Sequence, residues 1–383
     1  MKKRLIALLL ALALTFTLVA CGGGGAPAED GEILIGSLND ITGPTSTFGL
    51  QVDLGVRWAV DAINANGGVN GRQIRVITYD TAGDVSEAVN AFTRAVTMDN
   101  VVAVVGPPIS NIALAVAPIS EQFDVPLLGF ALDSRAHIRE DGTPFRNMFG
   151  MQPNADAQGA AMARFALQEG YRNFGIIFNE GNAYSVSLRD PFVAVIEAGG
   201  GTIVEEVTYT WGVTEFRTLL DRLIAADVEA IFAPNFTQEI ILIYQQARAL
   251  GYEGRLIFGL DACPPFQHLL GEAPENVFFL NNVNVNDPDS DLRVFMDEIY
   301  EELGIIATEK FFIGYDVANI LAMIFETTTD PDEIREAVRG LTNYQGRSGV
   351  LTIDPSRHEL VGYELHLFTY VGMEPVLLYT FRS

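Results

Sequence analysis

The sequence has few of the residues that metal-dependent and nucleophilic enzymes use. Its 383 residues include two cysteines and four histidines, and the histidines show no pairing at zinc-ligand spacing. The chain contains no Gly-x-Ser-x-Gly motif and no Walker-type phosphate loop. These absences argue against an enzyme and predict neither a metal nor a cofactor, although an active site without histidine is compatible with them.

Positive charge is also scarce. The chain has 24 lysines and arginines against 49 aspartates and glutamates, which gives a formal net charge of −25. Such acidity argues against binding to nucleic acid or to an anionic lipid surface, and solubility is a sufficient reason for it. The length of the chain predicts two domains rather than one.

The first 31 residues differ in composition from the rest. Three basic residues precede the apolar run 5–14, as in a secretory signal, so residues 1–20 are predicted to be a signal peptide. The segment ends Leu-Val-Ala-Cys-Gly, which looks like the lipobox of bacterial lipoproteins and makes Cys21 the predicted lipid-bearing residue. Residues 21–31 then form a flexible tether. An unlipidated signal peptide and an uncleaved membrane helix are the alternatives, but the apolar run is short for a span.

One stretch in the first half of the chain predicts a ligand-binding edge. Residues 101–105 are apolar, as in a strand buried on both faces of a parallel sheet. Gly-Pro-Pro ends this strand, Ser110 begins a segment of helical periodicity, and residues 125–130 form the next strand. The free N–H groups of a first helical turn at such an edge favour an anion. Asp133 follows on the same edge, and this pairing suits a zwitterion.

Strands and helices alternate along most of the chain. Two such blocks, residues 33–149 and 174–280, predict two α/β lobes with doubly wound parallel sheets. Within the second block, Pro191 is expected to delay or kink a helix at residues 185–198. The remaining tail carries its own strands and is expected to return to the first lobe and to end on the second. A ligand would then lie between the lobes, where hinge closure buries it.

Four phrases in a fixed order identify a family. They are IGSLNDITGP at 35–44, DAINANGGVNG at 61–71, VVGP at 104–107 and QARALG at 246–251. The chain resembles the solute-binding proteins of ABC transporters in the branched-chain amino-acid (leucine/isoleucine/valine) family, and the resemblance covers nearly all of the mature chain. It implies a lipid-anchored, extracytoplasmic binding protein that captures an amino acid and presents it to a membrane permease.

The resemblance also implies a fold. Members have the type I periplasmic binding protein fold, with two Rossmann-like lobes joined by a three-strand hinge. Applied to this chain, the crossovers fall near Gly150, Val283 and Leu360. Lobe 1 would then consist of residues 32–150 and 284–360, and lobe 2 of residues 151–283 and 361–383.

The family's binding residues can be carried over one position at a time. Its carboxylate-binding serine falls on Ser110, and its backbone contact on the next strand edge falls on Ala131. Its threonine two residues later falls on Asp133, and its ammonium-binding acid, usually glutamate, falls on Asp261. The cleft aromatics of the family fall on three further residues, Phe48, Tyr184 and Phe236.

Several departures from the family pattern bear on the ligand. Phe48 and Phe236 replace tyrosines and leave an apolar wall without polar selectivity. Asp133 adds a negative charge where a neutral donor is usual, and it is expected to share the ammonium, to reach a polar side chain, or to turn outward. The disulfide of some members is absent, because Gly83 and Ile109 occupy those positions.

The residues alone also permit simpler interpretations. Ser110 fits a helix N-cap, Asp261 fits a loop acid, and the aromatic residues fit lobe cores. Two alternative functions stay open at this point: a ligand sensor of the same fold that reports to a receptor, and a binder of amide, urea-like or aromatic acid ligands.

Overall fold

Each lobe of the molecule is built on a seven-stranded sheet flanked by helices. The computed structural model describes residues 31–287 and 290–382, and both sheets are mixed, with mainly parallel strands. The predicted fold class is therefore confirmed. The predicted signal peptide, the lipidation residue Cys21 and nearly all of the tether lie outside the described residues.

The first block of the chain alternates strands and helices as predicted. Its central strands are short and completely buried, because their apolar residues face helices on both sides of the sheet. The elements in order are β1 (Ile33–Asn39), α1 (Ser46–Ala65), β2 (Ile74–Asp80), α2 (Val85–Thr97), β3 (Ala103–Val105), α3 (Ser110–Ser120), β4 (Leu127–Gly129) and β5 (Met148–Gly150).

The second block repeats this arrangement. Its elements are α4 (Ala155–Gln168), β6 (Asn173–Asn179), α5 (Ala183–Ala198), β7 (Thr202–Tyr209), α6 (Arg217–Ala225), β8 (Ala230–Phe232), α7 (Thr237–Ala249), β9 (Arg255–Phe258), α8 (Phe266–Leu270) and β10 (Val277–Asn281). The prediction of a late start for α5 is wrong. The side chain of Asn182 accepts a hydrogen bond from the N–H of Tyr184 and so caps the helix upstream, while Pro191 lies in the helix interior.

The last third of the chain contributes to both sheets. It comprises α9 (Leu292–Leu303), α10 (Glu309–Phe325), α11 (Pro331–Arg339), β11 (Tyr344–Gly346), β12 (Gly349–Leu351), β13 (Ile353–Asp354), β14 (Glu359–Leu360), β15 (Glu364–Val371) and β16 (Glu374–Arg382). The strand order is β13-β14-β5-β4-β3-β1-β2 in the first sheet and β16-β15-β10-β9-β8-β6-β7 in the second.

The chain therefore passes between the sheets three times. The crossings follow β5, β10 and β14, close to the positions that the family resemblance implies. The tail returns to the first sheet and ends on the second, as expected. The predicted residue boundaries of the lobes stay predictions.

Helices α1 and α10 pack closely in the first lobe. A Cβ atom on Gly55 would lie 2.1 Å from the backbone oxygen of Phe311, and one on Gly314 would lie 2.4 Å from that of Val52. The side-chain amide of Gln51 in α1 also bonds to the Ile306 carbonyl and the Thr308 N–H, each at 3.1 Å. These contacts fix the first turn of α10 beside α1.

Within residues 31–287 and 290–382, no helix combines the length and apolarity that a membrane crossing requires. The same part of the chain holds no group of three or more histidine, cysteine or acidic side chains arranged for a metal ion. Cys263 is a buried free thiol, and burial raises its pKa well above the usual value.

Candidate functional site

The two lobes enclose a small cavity at the edge where several parallel strands end. Its volume is about 20 Å³, roughly the space of one water molecule. Five of the seven predicted ligand-binding residues line it. The lining residues are Phe48, Pro108, Ile109, Ser110, Leu132, Gln152, Tyr184, Phe236, Leu260, Asp261 and Lys310.

Ser110 occupies the first position of α3, directly after the turn that ends β3. Ile109 is the N-cap and provides no side-chain hydrogen bond, so Ser110 itself is not the cap that the simpler interpretation suggested. Its hydroxyl accepts a 3.4 Å hydrogen bond from the N–H of Asp133. The first N–H groups of a helix lack intrahelical partners, and the helix dipole is positive there. This end of α3 therefore suits a carboxylate.

Asp261 lies in a single helical turn after β9 and is 5% exposed. The Tyr184 hydroxyl donates a hydrogen bond to one carboxylate oxygen, Oδ2. The other oxygen, Oδ1, has no protein partner. Burial disfavours the ionised form and raises the pKa of Asp261 from 3.8 to about 7. A ligand ammonium at Oδ1 would supply both the missing hydrogen bond and the opposite charge.

Three aromatic rings connect the two lobes across the cavity. The rings of Tyr184 and Phe236 stack with centroids 5.3 Å apart and planes 8° from parallel. Phe48, from α1 in the first lobe, lies 5.3 Å from Phe236. Phe236 packs against hydrophobic clusters of both lobes, so it forms an apolar wall that depends on the lobes being closed.

The segment around Phe236 also orients Asp261. The Thr237 hydroxyl donates a 3.0 Å hydrogen bond to the backbone carbonyl of Asp261. The Asn235 amide donates to the Ile177 carbonyl at 2.9 Å, which ties the start of α7 to β6.

Ala131 and Asp133 are not among the residues that line the cavity. Ala131 packs in a hydrophobic cluster of the first lobe. The Asp133 carboxylate caps the turn Ser134–Ala136 and pairs with the Arg135 guanidinium at 2.6 Å. The negative charge of Asp133 is therefore already compensated by a neighbour two residues away, and its role toward a ligand stays a prediction.

Two polar side chains at the cavity were not predicted. Gln152 lies directly after β5. Its Nε2 atom donates a hydrogen bond to the Phe130 carbonyl, and its Oε1 atom is buried without a partner. Lys310, at the start of α10, is 6% exposed and pairs with Glu309 at 2.8 Å. Composition could have identified this residue, because Lys310 is the only lysine after Lys3.

The rims of the cavity are joined by one side chain. The Asn111 amide nitrogen donates to the Gly181 carbonyl at 3.1 Å, and its oxygen accepts from the Ala183 N–H at 3.0 Å. These bonds join the N-terminus of α3 in the first lobe to that of α5 in the second lobe.

A model of the family described as "Periplasmic binding protein" matches residues 32–364. The chain belongs to the periplasmic binding protein family. This membership confirms the resemblance that the four sequence phrases indicated, and it implies a location outside the cytoplasm.

Relatives and solved structures agree with this membership. The chain is 30% identical over 246 residues to the Leu/Ile/Val-binding protein BraC3 of Rhizobium johnstonii, covering 64% of this chain and 66% of that one. The structure of LivJ from Streptococcus pneumoniae in complex with isoleucine has a TM-score of 0.83 and 22% identity, and covers 92% of this chain and 100% of that one. A solute-binding protein from R. palustris in complex with benzoate has a TM-score of 0.81 and 15% identity, with 91% and 96% covered.

The two solved structures share the fold of this chain. The chain spans 63–66% of the length of the first curated relatives that it matches. These relatives are named as Leu/Ile/Val-binding proteins.

Proposed function

We propose that this periplasmic binding protein captures an amino acid, branched-chain, aliphatic or related, between its lobes and presents it to the permease of an ABC importer. One observation supports the amino acid most directly. The N-terminus of α3 at Ser110 and the unpartnered oxygen of Asp261 line the same cavity. They are complementary to the carboxylate and the ammonium of one small zwitterion.

Capture requires the lobes to separate and close again. A cavity of about 20 Å³ holds roughly one water molecule, far less than an amino acid needs. The rings of Phe48 and Phe236 must therefore move apart to admit a ligand. Closure then removes the ligand from water, and the closed form is the one offered to the permease.

A thermal-shift screen tests the proposed function. The mature protein is heated with each of the twenty standard amino acids and, separately, with benzoate. A ligand that binds only the folded state raises the unfolding temperature by mass action, so at least one amino acid should produce a concentration-dependent increase. A response to benzoate with none to any amino acid would contradict amino-acid capture.

An aromatic acid is the second candidate ligand. Three aromatic side chains, Phe48, Tyr184 and Phe236, line the cavity, and the similar R. palustris protein was solved with benzoate. A benzoate would leave Oδ1 of Asp261 without a hydrogen-bond donor, which is why we rank the amino acid first.

The proposal includes a lipid anchor on Cys21. The Leu-Val-Ala-Cys-Gly sequence supports it. In a bacterial host, the Cys21→Ser variant should move from the membrane fraction to the soluble fraction. The matched variant Cys263→Ser, which changes the other cysteine of the chain, should stay with the membrane. A Cys21→Ser variant that remains in the membrane fraction would exclude this anchor.

A further inference from the structure

Lys310 occupies a position that is unfavourable for a lysine. It lies in the first turn of α10, where the helix dipole disfavours a positive charge. Its side chain is 8% exposed, so the ammonium has lost most of its water. Burial of a charged group is costly even when it is paired. The helix dipole and the cost of burial both oppose a lysine here, which directs attention to a role at the cavity.

The hydrogen-bonding capacity of the Lys310 ammonium is not used up. An ammonium group has three N–H donors, and Glu309 accepts one of them at 2.8 Å. The ammonium also lies 5.4 Å from the centroid of the Phe48 ring, within the range of a cation–π contact. Lys310 lines the cavity and Glu309 does not, so a ligand acceptor placed in the cavity is the partner we consider for the remaining donors.

The polar groups of the cavity form a complementary set. The α3 N-terminus and Lys310 offer donors, while Oδ1 of Asp261 and Oε1 of Gln152 are buried acceptors without partners. An aliphatic amino acid would use the α3 N-terminus and Asp261 with its main-chain groups. It would leave the remaining donors of the Lys310 ammonium facing a hydrocarbon, and buried donors without an acceptor are costly.

We propose that Lys310 determines the side-chain specificity of the site, and that the preferred ligand is a small amino acid whose side chain carries an uncharged acceptor, an amide or hydroxyl oxygen. This inference rests on the amino-acid capture of the proposed function, and within it favours a related polar side chain over a branched-chain or aliphatic one. Glu309 already neutralises Lys310, so an acidic side chain would add an uncompensated negative charge to the closed cavity. A basic side chain would place a cation against Lys310, and the site disfavours both.

Three ligands of nearly identical shape test the proposal. Leucine, asparagine and aspartate share a side chain that branches at Cγ, and differ in having two methyl groups, an amide or a carboxylate there. Calorimetric titration of the mature protein should show asparagine binding about tenfold or more tightly than leucine, because a site built to donate a hydrogen bond rejects an analogue that cannot accept it. Aspartate should bind more weakly than asparagine. Aspartate as the tightest of the three would overturn the uncharged acceptor.

The double variant Glu309→Gln/Lys310→Met tests whether Lys310 causes the preference for asparagine over leucine. Methionine keeps an unbranched side chain without the charge, and glutamine avoids a stranded carboxylate. The ratio of the leucine to the asparagine dissociation constant should fall to about one or below, because the amide loses its donor. The control variant Arg57→Met removes a guanidinium that pairs with Asp53 away from the cavity, and should leave this ratio unchanged. Thermal unfolding of each variant establishes that it is folded.

The outcomes separate the two proposals. A wild-type protein that binds no amino acid refutes the proposed function. A wild-type protein that binds leucine as tightly as asparagine, with the same ratio in the double variant, refutes only the role of Lys310. Equal weakening of all three ligands by the double substitution would place Lys310 at the ligand's main-chain carboxylate and would also overturn the specificity role.

Discussion

At the residue scale, Asp261 is the group on which amino-acid binding should depend most. Truncating one partner of a buried charged hydrogen bond costs about 2–5 kcal/mol, so we expect Asp261→Ala to weaken amino-acid binding by about tenfold or more. Isothermal titration calorimetry of the folded variant measures this loss. The matched variant Asp133→Asn should have a much smaller effect, because Arg135 already pairs with that carboxylate. Unchanged affinity in Asp261→Ala would remove this residue from the site.

Affinity should also depend on pH through Asp261. Burial raises the pKa of this carboxyl to about 7 in the unliganded protein, whereas a bound ammonium requires the ionised form. Below pH 7, binding must therefore release a proton, and the affinity should rise by about tenfold per pH unit until it levels off above pH 7. The Asp261→Asn variant should bind weakly with a flat profile between pH 5 and 8. A flat wild-type profile would contradict this role.

The raised pKa of Asp261 also determines the direction in which pH changes the stability of the fold. In the unfolded chain the carboxyl has its ordinary pKa near 3.8, so between that value and about 7 the folded protein binds more protons than the unfolded one. The contribution of Asp261 to stability is present at low pH and decreases as the pH rises through this window.

The site residues were predicted from the family register, that is, from matching each position of this sequence to the family's binding residues. Ser110, Tyr184 and Asp261, which that register selected, line one cavity, and their roles toward a ligand stay predictions. It could not show that Arg135 captures Asp133, since two residues of separation allow many geometries. It also missed Lys310. This residue reaches the cavity because α10 packs against α1, and the two helices lie far apart in the sequence.

At the element scale, the strands were predictable where the physical cause was local. Apolar runs such as residues 101–105 contain the buried strand β3, and Gly-Pro-Pro marks its end. The error at α5 has a local cause as well. The cap formed by Asn182 outweighed the effect of Pro191, and a search for capping residues upstream of the proline would have found it.

The N-termini of α3 and α5 make a further prediction. Asn111 joins them through two hydrogen bonds across the lobes, each of which contributes about 0.5–1.5 kcal/mol. Asn111→Ala should therefore destabilise the closed form and weaken ligand binding by about fivefold or more. The loss should come mainly from faster dissociation, measured by stopped-flow fluorescence.

The control for this variant is Asn66→Ala. Its amide bonds to the Ala62 carbonyl within the same helix and should not affect dissociation. A normal dissociation rate in Asn111→Ala would show that this contact does not hold the lobes together.

At the scale of the whole molecule, the two-lobed fold followed from alternation of elements, since parallel sheets need helical crossovers. The positions of the three crossings came from the family resemblance. The sequence did not predict which strand pairs with which, because β14 pairs with β5 and β15 with β10, strands that lie far apart in the sequence. Short strands such as β14 also carry little pattern of their own.

Opening and closing of the whole molecule should be visible through its tryptophans. The ring of Trp211 lies 5.9 Å from that of Phe236 at the rim of the cavity and is 49% exposed, while Trp58 packs against Phe311 within the first lobe. These are the only two tryptophans of the chain. In the variant Trp58→Phe, ligand addition should shift the emission of Trp211 to shorter wavelength, because closure excludes water from the rim.

This shift should saturate at the dissociation constant found by calorimetry, and the radius of gyration from small-angle X-ray scattering should fall with it. The reciprocal variant Trp211→Phe, which leaves Trp58 inside one lobe, should show little change. Tight binding without either signal would mean that the ligand enters without lobe movement. That outcome would contradict the lobe movement inferred from a cavity of about 20 Å³ whose aromatic rings belong to both lobes.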